Sequence, residues 1–362
     1  MTLAELRRYA VARSLSPAPD LMTAVRRLGY VQADPIRAPA RAQDLILRHR
    51  VADYRVDDLE NQYPQLPLVE DMLHNYGFFP QEHVTLLYPR TLSSRWREFI
   101  DAHPALRRKL LQYLADNGEA HPRDVERALG AGVRVNGWGG KSSATTLMLE
   151  VLHREGRAHV HRRESGIRIY APARPRSRAQ SAAARADGLI RLVVNLYAPL
   201  PERTLAQLIA MMGSRKPEVD YPARIALMVR RGEMRREVVA GLTYLWPAGE
   251  AVEAIAESVE DRVHFLAPFD PVVWDRRRFE HLWGWQYRFE AYVPPTRRKL
   301  GYYAMPMLWR DQVIGWANAT VAGGRLKVDT GFAMKKPSRA DATAFRNALE
   351  REVADLGRFL AI

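Results

Sequence analysis

The chain has 362 residues, enough for two or three domains that each bury a core, and its 47% hydrophobic and 27% charged residues are those of an ordinary globular protein. No run approaches the roughly 20 apolar residues of a membrane span, and the absence of cysteine excludes disulfides, thiol catalysis and Cys-based metal sites. Against 41 Asp and Glu stand 55 Lys and Arg, a formal charge of +14 that favours a polyanionic partner, chiefly nucleic acid; an Arg- and Ala-rich high-GC genome is the bland alternative.

The N-terminal stretch lacks the apolar core and cleavage site of a signal peptide. It predicts an amphipathic helix with Leu3, Leu6 and Tyr9 or Ala10 on one side, in a cytoplasmic, nucleoid-associated monomer. Leu28-Gly29 predicts a helix stop, followed by a short extended segment Val31–Asp34 that Pro35 ends. Two-residue alternation would put Gln32 and Asp34 on one face, an amide beside a carboxylate. Gln-x-Asp is common by chance, so spacing alone favours a surface glutamine followed by a turn. His74 reads equally well as a structural histidine or as a DNA contact.

The middle of the chain repeats. Gly156 is followed fourteen positions later by Tyr170, and Gly232 fourteen positions later by Trp246. Ahead of the first glycine the pattern predicts helices at Ala105–Asp116, from Pro122, and at Ser142–Glu155; ahead of the second, at Asp187–Tyr197, from Leu200-Pro201, and at Tyr221–Arg231. A hairpin follows each glycine: Ala158–Arg162 with Ile167–Ala171, and Glu233–Val239 with Thr243–Trp246, turning at Gly166 and Gly241. Three helices and a hairpin make a winged helix, whose third helix can enter a major groove. Lys141 and Ser142 would then open a third helix near phosphate; Gly137–Ser142 lacks the spacing of a phosphate-binding loop. Arg174–Ser181 reads as an exposed basic connector, and the acidic 249–261 stretch as a solvated helix.

From Arg262 the pattern turns strand-like, with runs at Tyr287–Tyr292, Gly301–Leu308, Gln312–Thr320 and Arg325–Phe332. A closing helix is expected over Pro337–Phe359, its Phe345, Leu349, Val353 and Leu356 on one face. Ala267–Arg276 is a turn with two carboxylates, suited to local hydrogen bonding rather than to a metal. Arg297, Arg298 and Lys299 form a basic loop beside Tyr302 and Tyr303, a candidate clamp on a DNA backbone. The expected fold is therefore α+β: tandem winged-helix units followed by an antiparallel β-rich partial barrel with a closing helix.

Several of these segments together resemble a known family. Leu28–Ile36, Asp71–His74, Gly137-Trp138 and above all Pro268-Phe269-Asp270-Pro271-Val272-Val273-Trp274-Asp275-Arg276 look like the AlkZ/YcaQ (AlkX) family of bacterial winged-helix DNA glycosylases. The resemblance runs over nearly the whole chain. It implies three winged-helix units, over 1–100, 101–175 and 182–260, and a β-rich domain over 262–362; the first unit is not legible from the residues alone. The family's catalytic motif is Gln-x-Gln or Gln-x-Asp, so Gln32-Ala33-Asp34 is similar to the YcaQ-like branch, associated with N7-alkylguanine and crosslink unhooking. The chain departs at Asn75, where that pattern has Glu. It departs again at Gly315–Thr320, where Trp316, Asn318 and Thr320 replace Arg, Asp and Lys, which leaves crosslink unhooking open.

The chemistry implied needs one carboxylate. An N7-alkylguanine already carries positive charge and departs without a general acid, unlike the leaving group of most glycoside hydrolases. Asp34 would stabilise the oxocarbenium-like sugar and activate a water that Gln32 holds. The partner expected is double-stranded DNA carrying alkylated bases or crosslinks, with no cofactor or metal, and with little dependence on full base flipping because a crosslinked base fits no snug pocket. A non-enzymatic winged-helix regulator and a structural partner in a repair complex are the competing readings.

Overall fold

The structure, a computed structural model, describes residues 1–130, 132–135, 141–173, 180–212 and 219–362. Gly137-Trp138 and the arginines of the 174–178 connector lie outside the described residues, as do the side chains of Lys141 and Ser142. The chain is built from helices and antiparallel strand pairs, the expected α+β class. It forms two compact units: Met1–Leu59 with His74–Phe78 and Ala182–Ile362, and Glu60–Leu73 with Phe79–Ser181. Among the described residues no helix is long and apolar enough to cross a membrane.

The smaller unit contains the first copy of the repeat. Helix Pro104–Asn117 stops at Gly118, in the left-handed region at φ 71°. Helix Pro122–Leu129 is capped by the His121 ring, which accepts the N–H of Arg123 at 3.1 Å. Helix Ala144–Arg154 leads through Gly156 into the hairpin Ala158–Glu164 and Ile167–Pro172. The second copy, in the larger unit, runs Ala182–Tyr197, Glu202–Met212, Tyr221–Arg230 and the hairpin Met234–Val239 with Leu242–Pro247. The copies share a detail the sequence did not show. In each, the segment ahead of the second helix pairs with the hairpin's second strand: Ala120 with Tyr170, and Leu200–Pro201 with Leu245 and Tyr244.

One expectation about these copies is corrected. Lys141 and Ser142 do not open a helix; Lys141–Ser143 is a strand paired with Val133–Val135, and the helix begins at Ala144. Ser143 is its N-cap, in an extended conformation and accepting the N–H of Thr146 at 3.1 Å, so the residues before it are outside the helix. That third helix is also buried along most of its length, from Ala144 and Thr145 to Leu152 and His153. Only Thr146, Glu150 and Arg154, four apart on one face, are half-buried rather than buried, whereas Tyr221–Arg230 buries only Ile225 and Met228.

In the larger unit, helix Leu3–Leu15 buries Leu6, Tyr9, Ala10, Val11 and Leu15. The acidic stretch is not simply solvated. Helix Val252–Glu257 buries Val252 and Ala256 in the same core as the N-terminal helix, and Glu250 accepts from Tyr9 Oη at 2.6 Å and Arg13 Nε at 2.7 Å.

The C-terminal sheet has four antiparallel strands in the order Val263–Phe265, Met305–Trp309, Gln312–Ala322, Arg325–Phe332. Arg310 and Gly323-Gly324 turn its hairpins with positive φ. Helix Ala342–Leu360 closes it, with Phe345 edge-on to Trp309 at 5.4 Å. The predicted strand Tyr287–Tyr292 is irregular instead, and the strand expected from Gly301 starts at Met305. Side chains account for this. Buried Glu290 accepts the backbone N–H groups of Lys299 and Leu300 at 2.8 and 2.7 Å, and Tyr287 donates to Ala304 O at 2.7 Å. Backbone groups held by side chains are not available to a ladder.

Pro268–Arg276 forms a brace. Asp270 caps helix Pro271–Trp274 and makes a two-pronged ion pair with Arg50 at 2.8 and 3.0 Å, both side chains buried. Asp275 caps helix Arg276–Trp283 and accepts from Thr204 at 2.5 Å. Glu280 is held by Gln286, and His281 lies between Tyr244 Oη and Ala240 O. The two aspartates thus cap helices locally, while Arg50 and Thr204 tie them to distant parts of the chain.

Candidate active site

Helix Leu21–Leu28 starts on an Asp20 cap and ends at Gly29, whose φ of 77° turns the chain into strand Val31–Gln32. That strand pairs antiparallel with Tyr76–Pro80, Val31 opposite Phe78 and Gln32 opposite Gly77. Only glycine fits at 77, because a Cβ there would sit 2.3 Å from Val31 O and from the Tyr30 ring. The ladder continues as far as Ala33 N–H on Tyr76 O, at 2.9 Å.

Gln32 is 6% exposed, and its Oε1 accepts from Asn75 Nδ2 at 3.2 Å. Asp34 lies beyond the strand, so the alternation expected to align it with Gln32 does not apply. Its Oδ1 turns back to accept the N–H of Ile36 at 2.9 Å. Burial holds its carboxyl above the usual carboxylate range, only partly offset by that hydrogen bond. Among the described residues no cation neutralises it. Its charge is felt instead by two phenols, Tyr303 and Tyr292. Asp34 is thus coupled through its charge to the segment that carries the basic loop.

In that loop Arg297 and Lys299 are exposed, while Arg298 is half-buried, donates to Val293 O at 2.8 Å and lies over the Tyr302 ring at 4.9 Å. Asn318 donates to Leu300 O at 2.6 Å beneath the loop. Of the two aromatics expected to offer stacking faces, Tyr302 is exposed but Tyr303 is buried. The exposed partner is Tyr292, at 78%, which the sequence reading missed because it had been placed in a strand.

His74 is buried, with Nε2 3.0 Å from Tyr197 Oη and its ring among Tyr30, Tyr197 and Trp274. Burial depresses its pKa to about 3, so the ring is neutral. The side chain expected to contact DNA is thus buried in the free protein, its ring among aromatics one residue before Asn75. Two cavities of about 290 Å³, one beside Arg13 and Glu250 and one beside Arg48 and His49, do not include Gln32 or Asp34.

The sequence matches the family described as DNA glycosylase AlkZ-like over residues 25–359. The chain belongs to the AlkZ-like DNA glycosylase family. Its fold agrees with that of a solved structure, the Streptomyces sahachiroi DNA glycosylase AlkZ, at a TM-score of 0.67 over 99% of this chain and 96% of that one. Identity between the two is 15%, so the likeness is one of fold. AlkZ-like membership makes this a DNA-acting hydrolase of base repair, and its Gln32-Ala33-Asp34 segment lies within the matched region.

Proposed function

We propose that the protein is a monofunctional glycosylase that hydrolyses the N-glycosidic bond of N7-alkylguanine in duplex DNA. The observation that carries this reading is Asp34: a half-buried carboxylate with one engaged oxygen and, among the described residues, no compensating cation. Such a group is poorly stabilised in the free protein and well placed to meet positive charge brought by substrate. An alkylated guanine brings it twice, first on the base and then on the sugar.

The C1′–N9 bond breaks with its electron pair passing to the cationic base, which leaves neutral. Asp34 stabilises the oxocarbenium-like sugar that remains. Water adds to C1′, and its proton passes to Asp34 and then to solvent. Gln32 holds the water. Its Oε1 is occupied by Asn75, so its Nε2 is the group available to do so.

The two repeats, each three helices and a hairpin with a short pairing segment, are read as winged helices, and a third such unit is assigned to residues 1–100. The Tyr221–Arg230 helix and the exposed Arg297, Lys299, Tyr292 and Tyr302 supply the DNA-facing groups. Lys141 and Ser142 are retained as phosphate contacts from their strand. Interstrand crosslinks are a second substrate class for the same site.

Incubation with duplex DNA containing N7-methylguanine tests the reading: free base should be released and the abasic strand left uncut. Asp34→Asn releasing base at the wild-type rate would refute the assignment. Tight sequence-specific binding without release would identify a regulator instead.

A further inference from the structure

Tyr303 lies just ahead of strand Met305–Trp309. Its ring is 3% exposed and packs edge-on against Phe289 at 5.2 Å, which in turn packs on Phe269 at 5.3 Å. The ring is therefore well held, yet its hydroxyl makes no hydrogen bond. Nearby Tyr287 is buried too, but its hydroxyl is satisfied by Ala304 O. A buried O–H without a partner is rare, because folding has taken its water and returned nothing; one in a native fold calls for a ligand or a chemical role.

The ionisable groups whose charge bears on Tyr303 are Asp34, Tyr287, Tyr292 and Tyr302, with Arg276 coupled to it as well. Of these only Asp34 is a carboxylate, and among the described residues its second oxygen accepts no hydrogen bond. One unmatched donor and one unmatched acceptor are therefore within electrostatic reach of each other. Hydrogen bonds of a catalytic site are often open in the free enzyme and close only with substrate bound.

We propose that Tyr303 is a positioning residue: in the DNA-bound enzyme its hydroxyl donates to the free oxygen of Asp34, fixing the carboxylate beside C1′ and keeping it ionised. This rests on the reading of Asp34 as the group that faces the sugar. It assigns Tyr303 a role different from stacking on DNA, which its burial precludes. Burial and the Asp34 charge both hold the phenol protonated, as a donor must be.

The experiment is single-turnover release of N7-methylguanine from duplex DNA by wild type, Tyr303→Phe, Asp34→Asn and the double variant, from pH 4.5 to 9, with thermal midpoints and DNA affinity measured in parallel. Tyr303→Phe removes only an unbonded, desolvated oxygen from the free protein, so its midpoint should be at or above the wild-type value and its affinity for DNA unchanged. Its rate should fall roughly ten- to a hundredfold, as for loss of a hydrogen bond to a charged group. The acid limb of its pH profile should move up, because Asp34 loses a donor to its ionised form. In the Asp34→Asn background the same change should cost no further rate. An inactive Asp34→Asn with Tyr303→Phe at wild-type rate and an unmoved acid limb overturns the inference alone. Asp34→Asn at full rate overturns the Asp34 reading and this inference with it. If Tyr303→Phe lowers the midpoint, the double variant decides: a further rate loss on top of Asp34→Asn marks a structural effect and overturns the proposal.

Discussion

Asn75 donates from Nδ2 to Oε1 of Gln32 at 3.2 Å, so a turn residue 43 positions along the chain sets which end of the glutamine amide is spent. Asn75→Ala frees that amide to rotate, and Asn75→Asp replaces the donor by an acceptor and reverses the amide. Each should slow base release by roughly fivefold, about 1 kcal/mol for one hydrogen bond, with Asn75→Asp the worse of the two. Single-turnover rates at saturating enzyme check this; equal rates for all three proteins would show that the Gln32 orientation is immaterial.

Asp34 should govern the acid side of the pH profile. The ionised form is active and burial raises its pKa, so activity should fall away at a pH above the ordinary aspartate value of about 3.9. Between those two values the folded state holds more protons than the unfolded one, so stability falls as pH rises through that window. At neutral pH Asp34→Asn should therefore melt no lower than wild type while losing about a hundredfold or more in rate. Paired melting and kinetic measurements test both signs.

His74 and His264 work in the other direction. Burial lowers each to about 3 from an ordinary 6.5. Below about 6.5 the unfolded chain takes up protons that the folded chain refuses, so stability is full above that pH and declines steadily toward pH 3. Melts across this range should show the decline in wild type and a shallower one in His74→Gln.

Arg297 and Lys299 are exposed cations with no carboxylate partner among the described residues. Replacing both by alanine should weaken DNA binding for any sequence and reduce the slope of log affinity against log salt by about 1.8, two phosphates' worth. Arg298, engaged with Val293 and Tyr302, should contribute less. An unchanged slope in the double variant would remove this loop from the interface.

The Arg50–Asp270 pair is fully buried and doubly hydrogen-bonded. Removing one partner strands the other charge, so Asp270→Ala should destabilise the protein by about 3–5 kcal/mol. Chemical denaturation measures it; a loss under 1 kcal/mol would show the Pro268–Arg276 brace to be dispensable.

Local signals carried the periodic parts of this protein. The helix stops at Gly29, Gly156 and Gly232 were readable because glycine enters the left-handed turn without strain, and the hairpins because their turns carry Gly166 and Gly241. The family was legible in Pro268–Arg276, whose carboxylates cap helices a few residues away. What the sequence could not decide depended on partners distant along the chain. Glu290 captures backbone N–H groups and so turns an apparent strand into a loop, and the aromatics around His74 bury a side chain that the sequence left open. Gln32 is oriented by Asn75, and the charge of Asp34 is felt by Tyr292 and Tyr303, more than 250 residues on. Desolvation and through-space charge act only once the chain has folded, and they decide what a glutamine and an aspartate two positions apart can do.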